Sequence, residues 1–214
     1  IMSNIKILKN NIRNILENLF TSIAYFRNSS IIDIPPEWIK RSILLKTIKY
    51  KNIKNFIETG TFLGETSILV AENVEEVYTC ELSKPIYEKF LMKLNQVKNE
   101  SLEKINHYNN DSIEFLKIIN EKSILSKSNT LFWLDSHYSG GLTEGKRKCP
   151  LLKEINYILK NISSDSIILV DDIHNMNGLL GYPTISQIKK LINSLDLGFN
   201  FQIYSNILFI YKRE

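Results

Sequence analysis

Cysteine is nearly absent: two occur in 214 residues, Cys80 within an apolar run and Cys149 in a polar loop. Without a CxxC spacing they offer neither a metal knuckle nor a redox pair, and such sparing use points to a reducing, cytoplasmic setting. No apolar run approaches the ~18 residues of a membrane span. Lys6, Lys9, Arg13 and Glu17 break up the apolar positions of the first 27 residues, so a signal-peptide h-region is not expected there. The net charge of +4 comes without an Arg cluster or an aromatic-interleaved basic patch, which argues against a nucleic-acid surface. With eight glycines and five prolines the chain has no long low-complexity segment, and it has no internal repeat. A 43% hydrophobic content over this length suits one domain with a sizeable core and a short extension.

What is present is a change of period. Ile5, Leu8, Ile12, Ile15, Leu16, Leu19, Phe20 and Ile23 recur at spacings of three and four, predicting an amphipathic helix over 4–26 that acts as a cap or as the face of a homodimer. Pro35 and Pro36 end that segment, and a second helix is expected over Glu37 to Lys49. From Asn55 onwards short apolar runs alternate with helix-length amphipathic stretches. Strands are predicted at 55–60, 76–83, 105–111, 130–136 and 166–172, with helices near 64–73, 84–97, 112–120 and 148–161. Such alternation means parallel pairing through right-handed crossovers: a Rossmann-like, doubly wound α/β sheet. After a helix near 184–194, FNFQIYS and NILFIYKR are separated only by a tight turn and should pair antiparallel. The fold class expected is therefore a mainly parallel seven-stranded sheet with a C-terminal antiparallel hairpin and an N-terminal helical cap.

Ligands of open α/β sheets bind beyond the carboxyl ends of the strands, and here those ends carry acids: Glu58, Glu81, Asp111, Asp135, Asp171 and Asp172. A single acid there can simply cap the next helix; six at five successive strand ends call for more than capping. In FIETGTFLGETS, residues 56–67, Gly60 and Gly64 remove side chains at the strand-to-helix turn, and Thr61, Glu65 and Thr66 give the helix a polar start. The dinucleotide fingerprint needs G-x-G-x-x-G, and the central glycine is missing, which weakens a nicotinamide-dependent oxidoreductase or epimerase. Glu81 follows Gly60 by 21 residues, the distance at which an acid accepts hydrogen bonds from ribose hydroxyls.

In this order and spacing ETGTFLG, CELS, NNDS, FWLDSHYSGG and ILVDD resemble the class I S-adenosylmethionine-dependent methyltransferases. The resemblance covers roughly residues 55–214 and implies a methyltransferase domain over 51–214 behind an N-terminal helical extension, residues 1–50. It implies S-adenosyl-L-methionine as cofactor. Glu58 and Gly60, with Thr61 and Thr66 beside them, would line its methionine end, and Gly64 would admit the following helix. Glu81, followed by Leu82, would hold the ribose; Asp111 and Ser112 would flank the adenine; Asp135 would face the sulfonium and substrate.

Asp135, Asp171 and Asp172 are also similar to the metal site of the catechol and macrocin type of O-methyltransferase, which implies Mg2+ held by hard oxygen ligands. The alternative is that Asp171 and Asp172 only orient neighbouring backbone. His137, two residues past Asp135 at the mouth of the 136–150 loop, is a candidate general base, with His174 as its competitor and His107 a packing residue. Bacterial methyltransferases similar to this one often act on glycans or secondary metabolites, so a saccharide or saccharide precursor is the substrate class implied. A non-catalytic binding module, with the N-terminal helices recruiting a partner, is the remaining reading.

Overall fold

The computed structural model describes residues 34–97, 99–136, 149–179 and 181–212. The predicted helix at 4–26, and the cap or dimer face built on it, lie outside the described residues. Helix α1 spans Glu37–Tyr50 and is followed by β1 (Asn55–Thr59), α2 (Glu65–Ala71), β2 (Glu76–Cys80) and α3 (Lys84–Gln96). Then come β3 (Ile105–Tyr108), α4 (Ser112–Glu121), β4 (Thr130–Leu134), α5 (Leu151–Leu159) and β5 (Ile167–Val170). Helix α6 (Ile185–Leu195) leads to the closing strands β6 (Phe199–Tyr204) and β7 (Ile207–Lys212).

The sheet order is β3-β2-β1-β4-β5-β7-β6, and the first five strands pair in parallel. β7 is antiparallel to both β5 and β6, so the hairpin expected from the last two apolar runs inserts its second strand beside β5. Only a two-residue connection joins them. Ser205 and Asn206 both have positive φ, 47° and 63°, the geometry whose twist matches a two-residue hairpin.

Helices cover both faces, and every residue of β1, β4 and β5 is buried. On one face Ile57, Phe132 and Ile168 pack with apolar residues of α4, α5 and α6. On the other, Phe56, Leu131, Trp133 and Leu169 meet Ile43, Leu44 and Ile48 of α1, Val70 of α2 and Phe90 of α3. Phe56, Phe90 and Phe132 have no exposed surface, so each removes a whole aromatic side chain from water, worth about 1.5–3 kcal/mol on transfer.

The strands end earlier than their apolar runs suggested. The run at 76–83 stops pairing at Cys80 and the run at 105–111 at Tyr108, because the residues beyond turn into helix caps. Helix α5 begins at Leu151 rather than 148, directly after Pro150, which has no N–H to place inside a helix. Two short 3-10 turns, Glu100–Lys104 and Ile173–Asn175, carry no periodic apolar signal and were not anticipated.

Candidate functional site

The chain order reverses between β1 and β4: β2 and β3 lie to one side of β1, β5 to the other side of β4. That switch point opens a crevice at the carboxyl edge of the sheet. Alternate residues share a face, so Glu58 follows Phe56 onto the α1 side, Asp135 follows Trp133 and Asp171 follows Leu169.

Gly60 sits in the crevice with φ of +90°. The Asp135 amide donates to the Thr59 carbonyl at 3.0 Å, and a Cβ on Gly60 would stand 2.5 Å from the Asp135 carbonyl oxygen and 2.9 Å from the Ser136 nitrogen. This glycine thus admits the backbone of β4. Gly64, at φ +73°, precedes α2, and a Cβ there would lie 2.0 Å from the ring of Phe90. What comes close to Gly64 is thus the buried Phe90 ring of α3, whereas the helix that follows Gly64 in the chain is α2.

The Glu58 carboxylate is 2% exposed, and its Oε2 accepts from the Ser67 hydroxyl at 2.5 Å and the Thr79 hydroxyl at 2.7 Å. Burial pushes its pKa from 4.5 up to about 8, with the Asp135 charge adding to the rise and the hydroxyls of Ser67, Thr79 and Thr66 opposing it. Thr61 completes the cradle, 2.5 Å from the Thr79 hydroxyl. Ser67 and Thr79 escaped sequence reading because a lone hydroxyl carries no pattern.

Glu81 accepts from the Phe62 amide at 2.9 Å and the Ser83 amide at 2.8 Å. These bonds fix the carboxylate beside the Gly60 turn, and an ionised carboxylate has about four acceptor positions, so two remain. Those two acceptor positions match the two hydroxyl donors of a vicinal diol. Leu82, next to it, is 42% exposed. Asp111 caps α4, accepting from the Ile113 amide at 3.0 Å, and Ser112 is buried behind it. The Asn109 side chain donates to the Glu81 carbonyl at 2.8 Å, tying the ends of β2 and β3 together.

The largest departure from the sequence reading is Lys40. Its ammonium, on α1, stands 2.9 Å from Asp171 Oδ1 and 2.7 Å from Asp172 Oδ1, and the residue is only 4% exposed. Desolvation by itself would lower the Lys40 pKa, but the charge of Asp171 and hydrogen bonds to both aspartates outweigh it, and the ammonium is held above the ordinary lysine range. Burial raises the Asp171 pKa, and the neighbouring Asp135 and Asp172 carboxylates add to that rise against the pull of Lys40. Asp172 has positive φ, 49°, and its amide donates to Asp171 Oδ1 at 2.7 Å. Its Oδ1 also lies 3.3 Å from the Asn206 amide nitrogen.

The expected Mg2+ site therefore does not fit the residues present. Asp171 and Asp172 already share a buried cation, and no group of three or more metal-ligating side chains comes together among the described residues. Lys40 was legible in part: it falls in the same three-and-four spacing as Ile43, Leu44 and Ile48, a lysine on the apolar face of its helix.

A cleft over this edge is lined by Lys40 and Leu44 of α1, Thr66 of α2, Trp133 of β4, and Asp135 and Asp171 just past the ends of β4 and β5. The indole N–H of Trp133, on a residue 3% exposed, has no partner among the described residues. His137 and the rest of the loop through Lys148, including Tyr138 and Lys146, lie outside the described residues. His174 donates its amide to Asn206 Oδ1 at 2.8 Å, and its ring Nδ1 lies against the same side-chain amide. His107 Nδ1 is 2.9 Å from the Tyr87 hydroxyl, and its ring packs edge-on to Tyr87 and Phe90; burial lowers its pKa.

No protein-family model matches the chain, and no curated protein matches it. Solved structures do. The O-methyltransferase TomG of Streptomyces achromogenes, involved in tomaymycin synthesis and solved with SAM, superposes with a TM-score of 0.59 at 12% identity, over 84% of this chain and 81% of that one. An O-methyltransferase of Bacillus cereus in complex with SAH gives 0.58 at 12% identity, over 92% and 90%. The SAH-bound methyltransferase PaMTH1 of Podospora anserina gives 0.56 at 13% identity, over 94% and 87%. These matches, which cover at least 81% of each chain, establish the seven-stranded sheet of this chain as a Rossmann-like methyltransferase fold.

Proposed function

We propose that this chain transfers the methyl group of S-adenosylmethionine to an oxygen of a small polar acceptor, with a saccharide or saccharide precursor as the substrate class. One observation carries the reading: Glu58, Glu81 and Asp135 lie along one edge of the sheet at its switch point, where the fold binds ligands. The bound cofactor supplies a methyl group on a positively charged sulfur.

The chain's task is then alignment more than activation. Glu81, held by two backbone amides, receives the ribose hydroxyls. Glu58 receives the ammonium of the methionine end and gives up its own proton as it does so. Asp135 lies between that end and the cleft beneath α1, where the acceptor enters. His137, two residues further on, takes the acceptor proton. An acceptor oxygen gains the methyl carbon, the carbon–sulfur bond breaks, and neutral S-adenosylhomocysteine leaves.

Thermal melting with ligands tests the cofactor class. Millimolar S-adenosylhomocysteine is expected to raise the melting temperature by several degrees, as ligand at ~100 times its Kd contributes about 2.7 kcal/mol. NADH is expected to leave it unchanged. Stabilisation by NADH and none by S-adenosylhomocysteine would instead favour the nicotinamide-dependent reading.

A further inference from the structure

We propose that Lys40 is the resident cation of this site: its ammonium occupies the place between the strand-end aspartates that a divalent metal would take, and the wild-type chain holds no metal there. The use of the cleft for methyl transfer rests on the function proposed above; the cation assignment rests on geometry alone and is read by metal binding.

Mg2+ needs near-octahedral oxygen coordination at about 2.0–2.1 Å. The two aspartates offer Asp171 Oδ1 and Oδ2 and Asp172 Oδ1, which already lie 2.9, 3.1 and 2.7 Å from the Lys40 nitrogen. A metal bound to both would be driven against an ammonium at close range, so the two cations exclude one another. Lys40 is buried, and its ammonium is held by both aspartates. Its helix is anchored by Ile43, Leu44 and Ile48 in the core, and Arg41 pairs with Glu65 at the start of α2 at 2.5 Å. Neighbouring Glu37 stands 3.7 Å from the same nitrogen, adding negative charge on the side facing solvent.

The consequence reaches the acceptor. A metal would gather two vicinal oxygens, whereas the cleft lined by Lys40, Trp133 and Asp135 presents an ammonium, which chelates nothing. A lone hydroxyl then suffices, and the vicinal diol that chelation would demand is not required.

Mn2+ is the probe, followed through the paramagnetic resonance signal of the free ion, on the full chain. Wild type is expected to take up no Mn2+ at concentrations to about 1 mM, the weak end of biological divalent sites. Lys40→Ala is expected to gain one Mn2+ per chain with affinity at least ~10-fold above wild type, and adding Asp171→Asn to that variant should abolish the gain. Where the alanine variant does not fold, Lys40→Gln replaces it and keeps much of the stem. The proposal is overturned by one Mn2+ per wild-type chain that Asp171→Asn removes, or by a folded Lys40 variant that gains no Mn2+. S-adenosylhomocysteine is titrated into the same samples: failure to bind the wild type would end the methyltransferase reading and leave the metal result standing.

Discussion

Gly60→Ala is expected to lower stability by about 4 kcal/mol, from left-handed backbone strain and from overpacking together, and to abolish S-adenosylhomocysteine binding. At this chain length that loss lowers the melting temperature by roughly 8–16 °C. The first cause is φ at +90°, where a Cβ is disfavoured. The second is contact with backbone that no rotamer change can relieve: the added carbon would lie 2.5 Å from the Asp135 carbonyl oxygen. Separating β1 from β4 at this point moves Glu58 away from Asp135, and with it the crevice. Gly198→Ala is the matched control, since φ is +73° there but nothing lies within 4 Å of the new carbon. It should cost about 1–2 kcal/mol and leave ligand binding intact. Equal melting temperatures for the two variants would show that β4 does not press on Gly60.

The second large effect is a reversal of pH dependence at Glu58. In the fold its carboxyl keeps a proton up to about pH 8, whereas the ordinary value is 4.5. Between those limits the folded state binds more protons than the unfolded chain, so stability is full below pH 4.5 and is lost as pH rises through 8. A rise from 4.5 to about 8, at 1.36 kcal/mol per unit, amounts to roughly 5 kcal/mol. Glu58→Gln has no proton to lose. It should therefore remove most of the decline in urea-unfolding free energy between pH 5 and pH 9, with a smaller slope remaining from Asp171, whose pKa burial also raises. Parallel pH profiles for wild type and variant would show that Glu58 is ionised in the fold at neutral pH.

Periodicity revealed most of the architecture because each strand and helix on the sheet buries a face, and burial is what writes a period into a sequence. All seven strands lie within their predicted runs, and the antiparallel ending followed from a connection too short for a crossover. Strand ends were read too long, since Glu81 and Asp111 continue an extended backbone while their side chains turn to amides. The site was less legible than the fold. Glu58, Gly60 and Asp135 lie together at the ends of β1 and β4, but the partners of Glu58 come from α2 and β2, and no local spacing links Ser67 and Thr79 to it. The aspartate pair showed the greatest gap. Three acids at adjacent strand ends describe a metal site until the cation 131 positions away along the chain is brought beside them by the packing of α1.

Calorimetric titration of S-adenosylhomocysteine into the wild-type chain tests the central claim most directly, and running it at two pH values adds the Glu58 chemistry. One site per chain is expected at both, with binding tighter by up to about tenfold per pH unit between 6 and 8, as the ligand ammonium displaces the Glu58 proton. Proton release should follow the ionisation heat of the buffer at the lower pH. No saturable heat at millimolar ligand at either pH would contradict the account.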